Sequence, residues 1–277
     1  MTTLRVIYDN AADRGTITAS STAGSLSASN LKIDRKSKIW RSVGTIATLT
    51  CTWTSLETIS GVVLPFCNLS DTATIQVRVY DVGTGGSPIF TSPLILAAPM
   101  IPLGYWAWGQ QPLGVNTFSY GFNTYARIWL GKMFSARRVE IDIVDTNNTA
   151  GYIDVSRLIV GNHWSPQFNT GFGIPVTFTD STVNSRAQSG DLISNIGFKS
   201  KKMTVDLNWL TDADRSLLTS LFRNNGASKP VFMSVFPNDT DPAKEQTYQI
   251  YGKLPNSGQI THPMHTIYSS QLELEEV

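Results

Sequence analysis

Thr45-Ile46-Ala47-Thr48-Leu49-Thr50-Cys51-Thr52-Trp53 alternates polar and apolar side chains over most of its length. Successive residues of a strand face opposite sides, so this stretch reads as a half-buried β-strand. The next clear strand, Ala73-Thr74-Ile75-Gln76-Val77-Arg78-Val79-Tyr80-Asp81, repeats the pattern through Ile75, Val77 and Val79 and stops at Gly83-Thr84-Gly85-Gly86. Period two dominates the whole chain and helical periodicity is rare, which predicts a mainly β protein.

Outward from this stretch the order of segments becomes informative. Lys36-Ser37-Lys38-Ile39-Trp40-Arg41-Ser42 precedes it, and Ile59-Ser60-Gly61-Val62-Val63-Leu64 follows, leading into the loop Cys67-Asn68-Leu69-Ser70. Much later come Arg137-Arg138-Val139-Glu140-Ile141-Asp142-Ile143 and the closing Arg157-Leu158-Ile159-Val160-Gly161. In that order, these segments resemble the galactose-binding (discoidin-like) jelly rolls. The resemblance implies a jelly-roll β-sandwich with Trp40 and Ile141 in core and strand positions, and it speaks to fold rather than to galactose binding.

The alternation pauses between Asn162-His163-Trp164-Ser165-Pro166 and Gly171-Phe172-Gly173-Ile174-Pro175, where proline and glycine punctuate the chain. We therefore expect a sandwich over residues 1–165 and a smaller β unit over 166–277. One segment of the second unit breaks the period-two rule. Thr211 is an N-cap, Asp212 and Asp214 make an acidic first turn, Ala213, Leu217, Leu218, Leu221 and Phe222 recur at helical spacing, and Asn224-Asn225-Gly226 ends the run. This predicts one helix near 211–223. With Lys202-Met203-Thr204-Val205-Asp206-Leu207-Asn208-Trp209-Leu210 before it and Lys229 to Asp239 after it, the unit resembles the phage tail-tip proteins of the distal-tail and tube-adaptor type. That resemblance implies a split-barrel or tail-tube-like β domain with one helix. It also implies a homo-oligomeric ring, the tail tube and other baseplate proteins as partners, and a virion location after synthesis in a host cytoplasm.

Composition narrows the classes. Charged residues are 16% of the 277, against roughly 25% for an average soluble domain. A net charge of +1 provides no basic field for phosphates and argues against nucleic acid. No run approaches the roughly 20 apolar residues of a membrane span, and Met1 to Tyr8 alternates like a strand rather than like a leader. Cys51 and Cys67 lie inside apolar strand patterns and read as buried thiols, with a cross-strand disulfide as the alternative.

Chemistry is sparse in the sequence. It has no Gly-x-Ser-x-Gly elbow, Walker loop, dinucleotide fingerprint or Cys-x-x-Cys. His262-Pro263-Met264-His265 lacks the further ligands of a metal site and reads as a turn or strand edge. Asp142, Asp145 and Asp154 surround Asn147-Asn148 and could nominally hold calcium, but an Asp/Asn turn accounts for them without an ion. Nothing selects a catalytic pair among the 21 acids. We expect no enzyme, no cofactor and no metal.

The segment Pro99 to Trp129 is dense in aromatics. Phe118, Tyr120, Phe122, Tyr125 and Trp129 are expected to fill the sandwich core, whereas Tyr105, Trp106 and Trp108 are candidates for stacking on a sugar or anchoring a subunit interface. Two functions compete on this evidence. One is a structural virion protein forming a ring that links tail tube to tail tip. The other is a carbohydrate-binding module recognising a cell-surface glycan. A secreted sugar-active enzyme is disfavoured by the missing leader and motif.

Overall fold

A computed structural model describes residues 3–98, 124–255 and 258–277 of the chain. It is mainly β. The chain opens with β1 (Arg5–Ile7) and then supplies β2 (Thr16–Ala19), β3 (Trp40–Arg41), β4 (Ile46–Cys67), β5 (Thr74–Tyr80), β6 (Phe90–Thr91) and β7 (Ile95–Leu96). After these come β8 (Thr124–Val144), β9 (Asp154–Val155) and β10 (Ile159–Gly161). The rest is β11 (Val176–Asp180), β12 (Val183–Arg186), β13 (Leu192–Asn195), β14 (Lys199–Leu210), α1 (Asp212–Asn225), β15 (Val231–Ser234), α2 (Pro242–Thr247), β16 (Gln249–Lys253), β17 (Ile260–Met264) and β18 (Ile267–Glu276).

Strands β4 and β8 are the spine of the first unit, a jelly-roll β-sandwich. They pair antiparallel from Ile46↔Val144 to Cys67↔Thr124, and the register shifts between Ile59↔Phe134 and Gly61↔Trp129. Leu130 to Met133 have no register partners on β4, and Gly131 takes φ +78, a conformation that glycine adopts without strain. The bulge folds the two-strand ladder over, so that one half carries β2 and β5 while the other carries β10. Apolar residues from both halves then meet: Ala47, Leu49, Cys51 and Trp53 from the alternating stretch face Ile59, Val62, Ala126 and Ile128. The alternation holds residue by residue from Ala47 on, and Ile46, which breaks it, points to solvent. Trp40 and Ile141 are fully buried in this core. Cys51 and Cys67 are buried free thiols.

The second unit is a seven-stranded antiparallel sheet in the order β1-β15-β16-β18-β14-β11, with β17 beside β18. Helix α1 packs on one face through Leu218 and Leu221 against Met203, Val205, Leu207 and Leu272. Its start is as the sequence predicts: Thr211 Oγ1 accepts from the Asp214 amide while the Asp214 carboxylate accepts from Thr211, a reciprocal capping box.

Two expectations need correction. Residues 1–165 do not all belong to the sandwich, because β1 pairs with β15 (Arg5↔Ser234, Val6↔Met233, Ile7↔Phe232) and the Val6 and Trp164 backbones exchange hydrogen bonds of 2.8 and 2.9 Å. A three-residue strand carries no local sign of which sheet it joins. The second unit also has two α-helices rather than one. Asp241 caps the Ala243 amide and Pro242 occupies the first turn, a start signal that is present in the sequence but followed by only six helical residues.

The units meet on the other face of the second sheet. Ile7, Phe232 and Tyr251 lie side by side in register and pack on Val63, Phe66, Tyr125 and Ile159 of the sandwich. Around this apolar patch lies a buried polar network. The Arg127 guanidinium forks onto the Glu245 carboxylate (Nε to Oε1 2.6 Å), with Glu245 1% exposed. Gln246 accepts from the Tyr125 amide at 3.3 Å and donates to the Tyr125 carbonyl at 2.9 Å. Arg157 donates to the Tyr251 hydroxyl at 2.9 Å, and that hydroxyl donates to Asp34 at 2.6 Å.

Removing one partner of a buried charge pair costs about 3–5 kcal/mol because the survivor is left unpaired. Glu245→Ala is expected to lose stability of that order in urea unfolding, and the double replacement Arg127→Met with Glu245→Leu to recover most of it. A Glu245→Ala loss below about 1 kcal/mol would show that the seam is solvated.

Candidate functional site

The sugar or interface candidates Tyr105, Trp106 and Trp108 lie outside the described residues, as do Phe118, Tyr120 and Phe122. Tyr125 and Trp129 are described, and neither sits between the two halves of the sandwich as expected. Tyr125 is buried in the seam, its hydroxyl donating to Glu276 at 2.9 Å. Trp129 is half-buried there, with the Arg5 guanidinium 4.9 Å from its ring and the His163 ring edge-on at 5.2 Å. It packs so close to Gly61 that a Cβ on that glycine would lie 2.7 Å from the indole.

The acidic residues near Asn147-Asn148 are each engaged by protein. Asp142 pairs with Arg78 at 2.8 Å, and Asp154 receives a two-pronged Arg41 at 2.7 and 2.8 Å. Asp145 accepts from the Ser70 amide, the Ser70 hydroxyl and Asn148. Among the described residues no group of three or more His, Cys, Asp or Glu could hold a metal ion. His262 lies on β17, its ring stacked on Tyr268 at 4.6 Å. Burial pushes both thiols up to about 12, so neither is a thiolate near neutral pH.

A cleft of about 530 Å³ opens beside the seam between Tyr8, Arg14, Glu57, His163, Trp164 and Leu217. Arg14 spans it, reaching Asp9 at 2.5 Å and Glu57 at 2.9 Å. Next to it the Ser60 hydroxyl lies 2.6 Å from His163 Nδ1 and 2.9 Å from Asn162 Oδ1. The pair looks like a nucleophile and its base, but Ser60 is wholly buried and its oxygen also accepts from the His163 amide. It is a structural lock. Burial, with Arg5 nearby, pushes the His163 imidazole down to about 4.

The most unusual surface is on the second unit. Among the described residues, strands β12 and β13 pair only with each other (Val183↔Asn195 to Arg186↔Leu192), and they continue the β11–β14 ladder beyond the sheet. All eight of their residues are exposed. At about 3.3 Å per residue the arm extends roughly 25 Å past Asp180. Its base is fixed: Ser181 and Phe198 exchange hydrogen bonds of 2.8 to 3.0 Å, and Gly197 approaches Ser181 so closely that a Cβ would sit 2.4 Å from it. Its tip is fixed by Ala187 and Asp191 backbones at 2.9 Å and by Arg186 donating to the Gly190 carbonyl. Large apolar side chains stud it and the adjoining end of β11: Phe178 on β11, then Val183, Leu192, Ile193, Ile196 at 86% and Phe198 at 74% exposure. The sequence does not announce this surface, because period-two alternation does not tell a covered face from a bare one.

No family model and no curated protein matches the chain. Solved structures similar to part of it include a Ruminococcus gnavus GH29 fucosidase in complex with fucose (10% identity, 58% of this chain and 28% of that one, TM-score 0.40). Others are the family 32 carbohydrate-binding module of Clostridium perfringens NanJ with galactose (12%, 57% and 98%, 0.38) and a Streptococcus pneumoniae fucose-binding module (14%, 56% and 98%, 0.36). The chain spans little more than a quarter of the fucosidase and nearly all of each module. No described helix is long and apolar enough to cross a membrane.

The low imidazole value gives a signed expectation. Above about pH 6.5 His163 is neutral in both states; as pH falls toward 4 the unfolded chain takes a proton that the folded chain refuses, so stability drops across that window and levels off below it. The His163 ring proton resonance should stay put until about pH 4, and the thermal midpoint of His163→Gln should fall less between pH 6.5 and 4 than that of the parent. A resonance titrating at its ordinary value would contradict the buried geometry.

Proposed function

We propose that this chain is a non-enzymatic building block of a larger assembly, attached to its neighbours through the β12–β13 arm. The observation that carries this reading is the bare arm itself. An isolated two-stranded hairpin is marginal in water, and exposed apolar clusters of this kind mark contact surfaces. Two phenylalanines alone offer roughly 150–250 Å² each on burial. With four aliphatic residues beside them, the arm supplies a large share of the ~800 Å² per partner of a standard interface. In its finer form the reading is a subunit of a ring at the distal tail or baseplate of a long-tailed phage, linking tail tube to tail tip. What supports that form is the order of strand β14, capped helix α1 and strand β15, the resemblance noted from sequence.

A second reading is glycan recognition by the sandwich. It is supported by Tyr105, Trp106 and Trp108 in the connection between β7 and β8, and carbohydrate binding is what several similar solved structures are described as doing in their own proteins. Of the two readings it is the one the comparisons favour. The readings are compatible, since a sandwich on an assembled subunit is free to face a cell surface.

Sedimentation velocity and negative-stain microscopy test the assembly reading. The parent chain should form higher-order species or annuli, and Val183→Asp with Ile193→Asp should leave a monomer with unchanged circular dichroism. A parent that stays monomeric at every concentration, and in particles, would sink it. Quenching of tryptophan fluorescence by glycans, absent from the Trp106→Ala/Trp108→Ala variant, is the expected sign of the second reading.

A further inference from the structure

The loop that enters the second unit forms a cleft of about 420 Å³ with the segment around α2, far along the chain from the sandwich aromatics. Its volume falls within the ~300–1,000 Å³ of small-ligand sites. Phe236 and Tyr248 stand edge to face at 5.2 Å, and Ile174 continues this apolar surface. Phe172, between Gly171 and Gly173, borders the cleft with 98% of its surface exposed. At the polar side Lys244 pairs with Asp239 at 2.8 Å while its ammonium lies 4.1 Å from the Phe236 ring centroid.

We propose that this cleft binds a neutral sugar ring, with Phe172 stacking on the apolar face of the ring and the Asp239–Lys244 pair taking its hydroxyls. The proposal shares a ligand class with the glycan reading above but not its site, and it does not rest on that reading. The chemistry of the walls selects the ligand. Asp239 and Lys244 cancel in charge, so no surplus cation is present to hold a phosphate or carboxylate. Asp239 Oδ1 accepts from the Asp241 amide and Oδ2 from Lys244, which leaves lone pairs for hydroxyl protons, and the ammonium keeps protons beyond the one given to Asp239. Lys244 also holds the Asp239 carboxyl below its ordinary range, so it remains an acceptor in mildly acid solution. Adjacent donor and acceptor suit vicinal hydroxyls. A purely apolar occupant would strip water from the outer side of that ion pair and replace none of its hydrogen bonds.

The test uses the full chain and a panel of galactose, glucose, N-acetylglucosamine and lactose, screened by saturation-transfer NMR and then titrated by calorimetry. Phe172→Ala removes a side chain with almost no contacts to protein, so it leaves the fold intact, and it should weaken binding roughly tenfold or more. Lys244→Gln should weaken it as well, with circular dichroism unchanged. The Tyr105→Ala/Trp106→Ala/Trp108→Ala variant should keep the binding that Phe172→Ala removes. Loss of binding in that triple variant with full retention in Phe172→Ala would overturn the cleft and leave the sandwich as the glycan site. No saturation transfer from any sugar would overturn the cleft outright. A drop in self-association rather than in sugar affinity on Phe172→Ala would also overturn it, by making the cleft a subunit contact.

Discussion

The grip of Glu245 and Gln246 on β8 is the constraint from which the molecular shape follows. Helix α2 is too short to be stable alone, and its capping by Asp241 and Pro242 supplies only a start. Tertiary contacts hold it. Arg127 forks onto Glu245, Glu245 also accepts from the Asn238 amide, and Gln246 satisfies both the N–H and the C=O of Tyr125. Lys201, buried and pushed down to about 8, donates to the carbonyls of Gln246 and Thr247 that the helix end leaves open. Helix α2 and the turn at Asn238 are thus tied to one strand of each sheet, β8 and β14.

That tie is about direction more than stability. On the sheet face that meets the sandwich, the row Ile7, Phe232, Tyr251 is followed two residues away on each strand by Arg5, Ser234, Gln249. The first row buries apolar surface against Phe66 and Ile159. In the second, the Ser234 hydroxyl, both polar atoms of the Gln249 amide, one Arg5 nitrogen and the neighbouring Trp129 indole nitrogen have no hydrogen-bond partner among the described residues. An all-apolar seam would hold more tightly, since unpaired buried polar groups each cost about 1–3 kcal/mol. A seam of directional bonds such as Arg127 to Glu245 and Arg157 to Tyr251 instead admits one relative orientation.

How much of this was legible in the sequence depended on range. The Thr48, Thr50, Thr52 alternation and the Thr211 capping box are local, and both appear where the residues put them. Trp40 and Ile141 are core, and the order of the sandwich segments is what made them legible. What failed was long-range. Nothing in Arg5-Val6-Ile7 names β15 as its partner some 225 residues on, and nothing in Tyr125 distinguishes a sandwich core position from a seam position, because both demand the same large apolar body. Function was the least legible. A cleft assembled from Phe172, Phe236 and Lys244 has no spacing to read, and Tyr105, Trp106 and Trp108 lie outside the described residues.

The rigid seam and the bare arm make sense together. A β-ribbon roughly 25 Å long is a poor handle if its base swivels, because each degree of freedom left at the base must be frozen when a partner binds. Here β11 and β14 anchor the arm in the second sheet, Gly197 closes tightly on Ser181, and the sheet is bolted to the sandwich through Glu245. The cost of ordering is therefore met during folding of the single chain rather than at association. In the assembly proposed above, a neighbour that held the arm would therefore fix the direction of the sandwich as well.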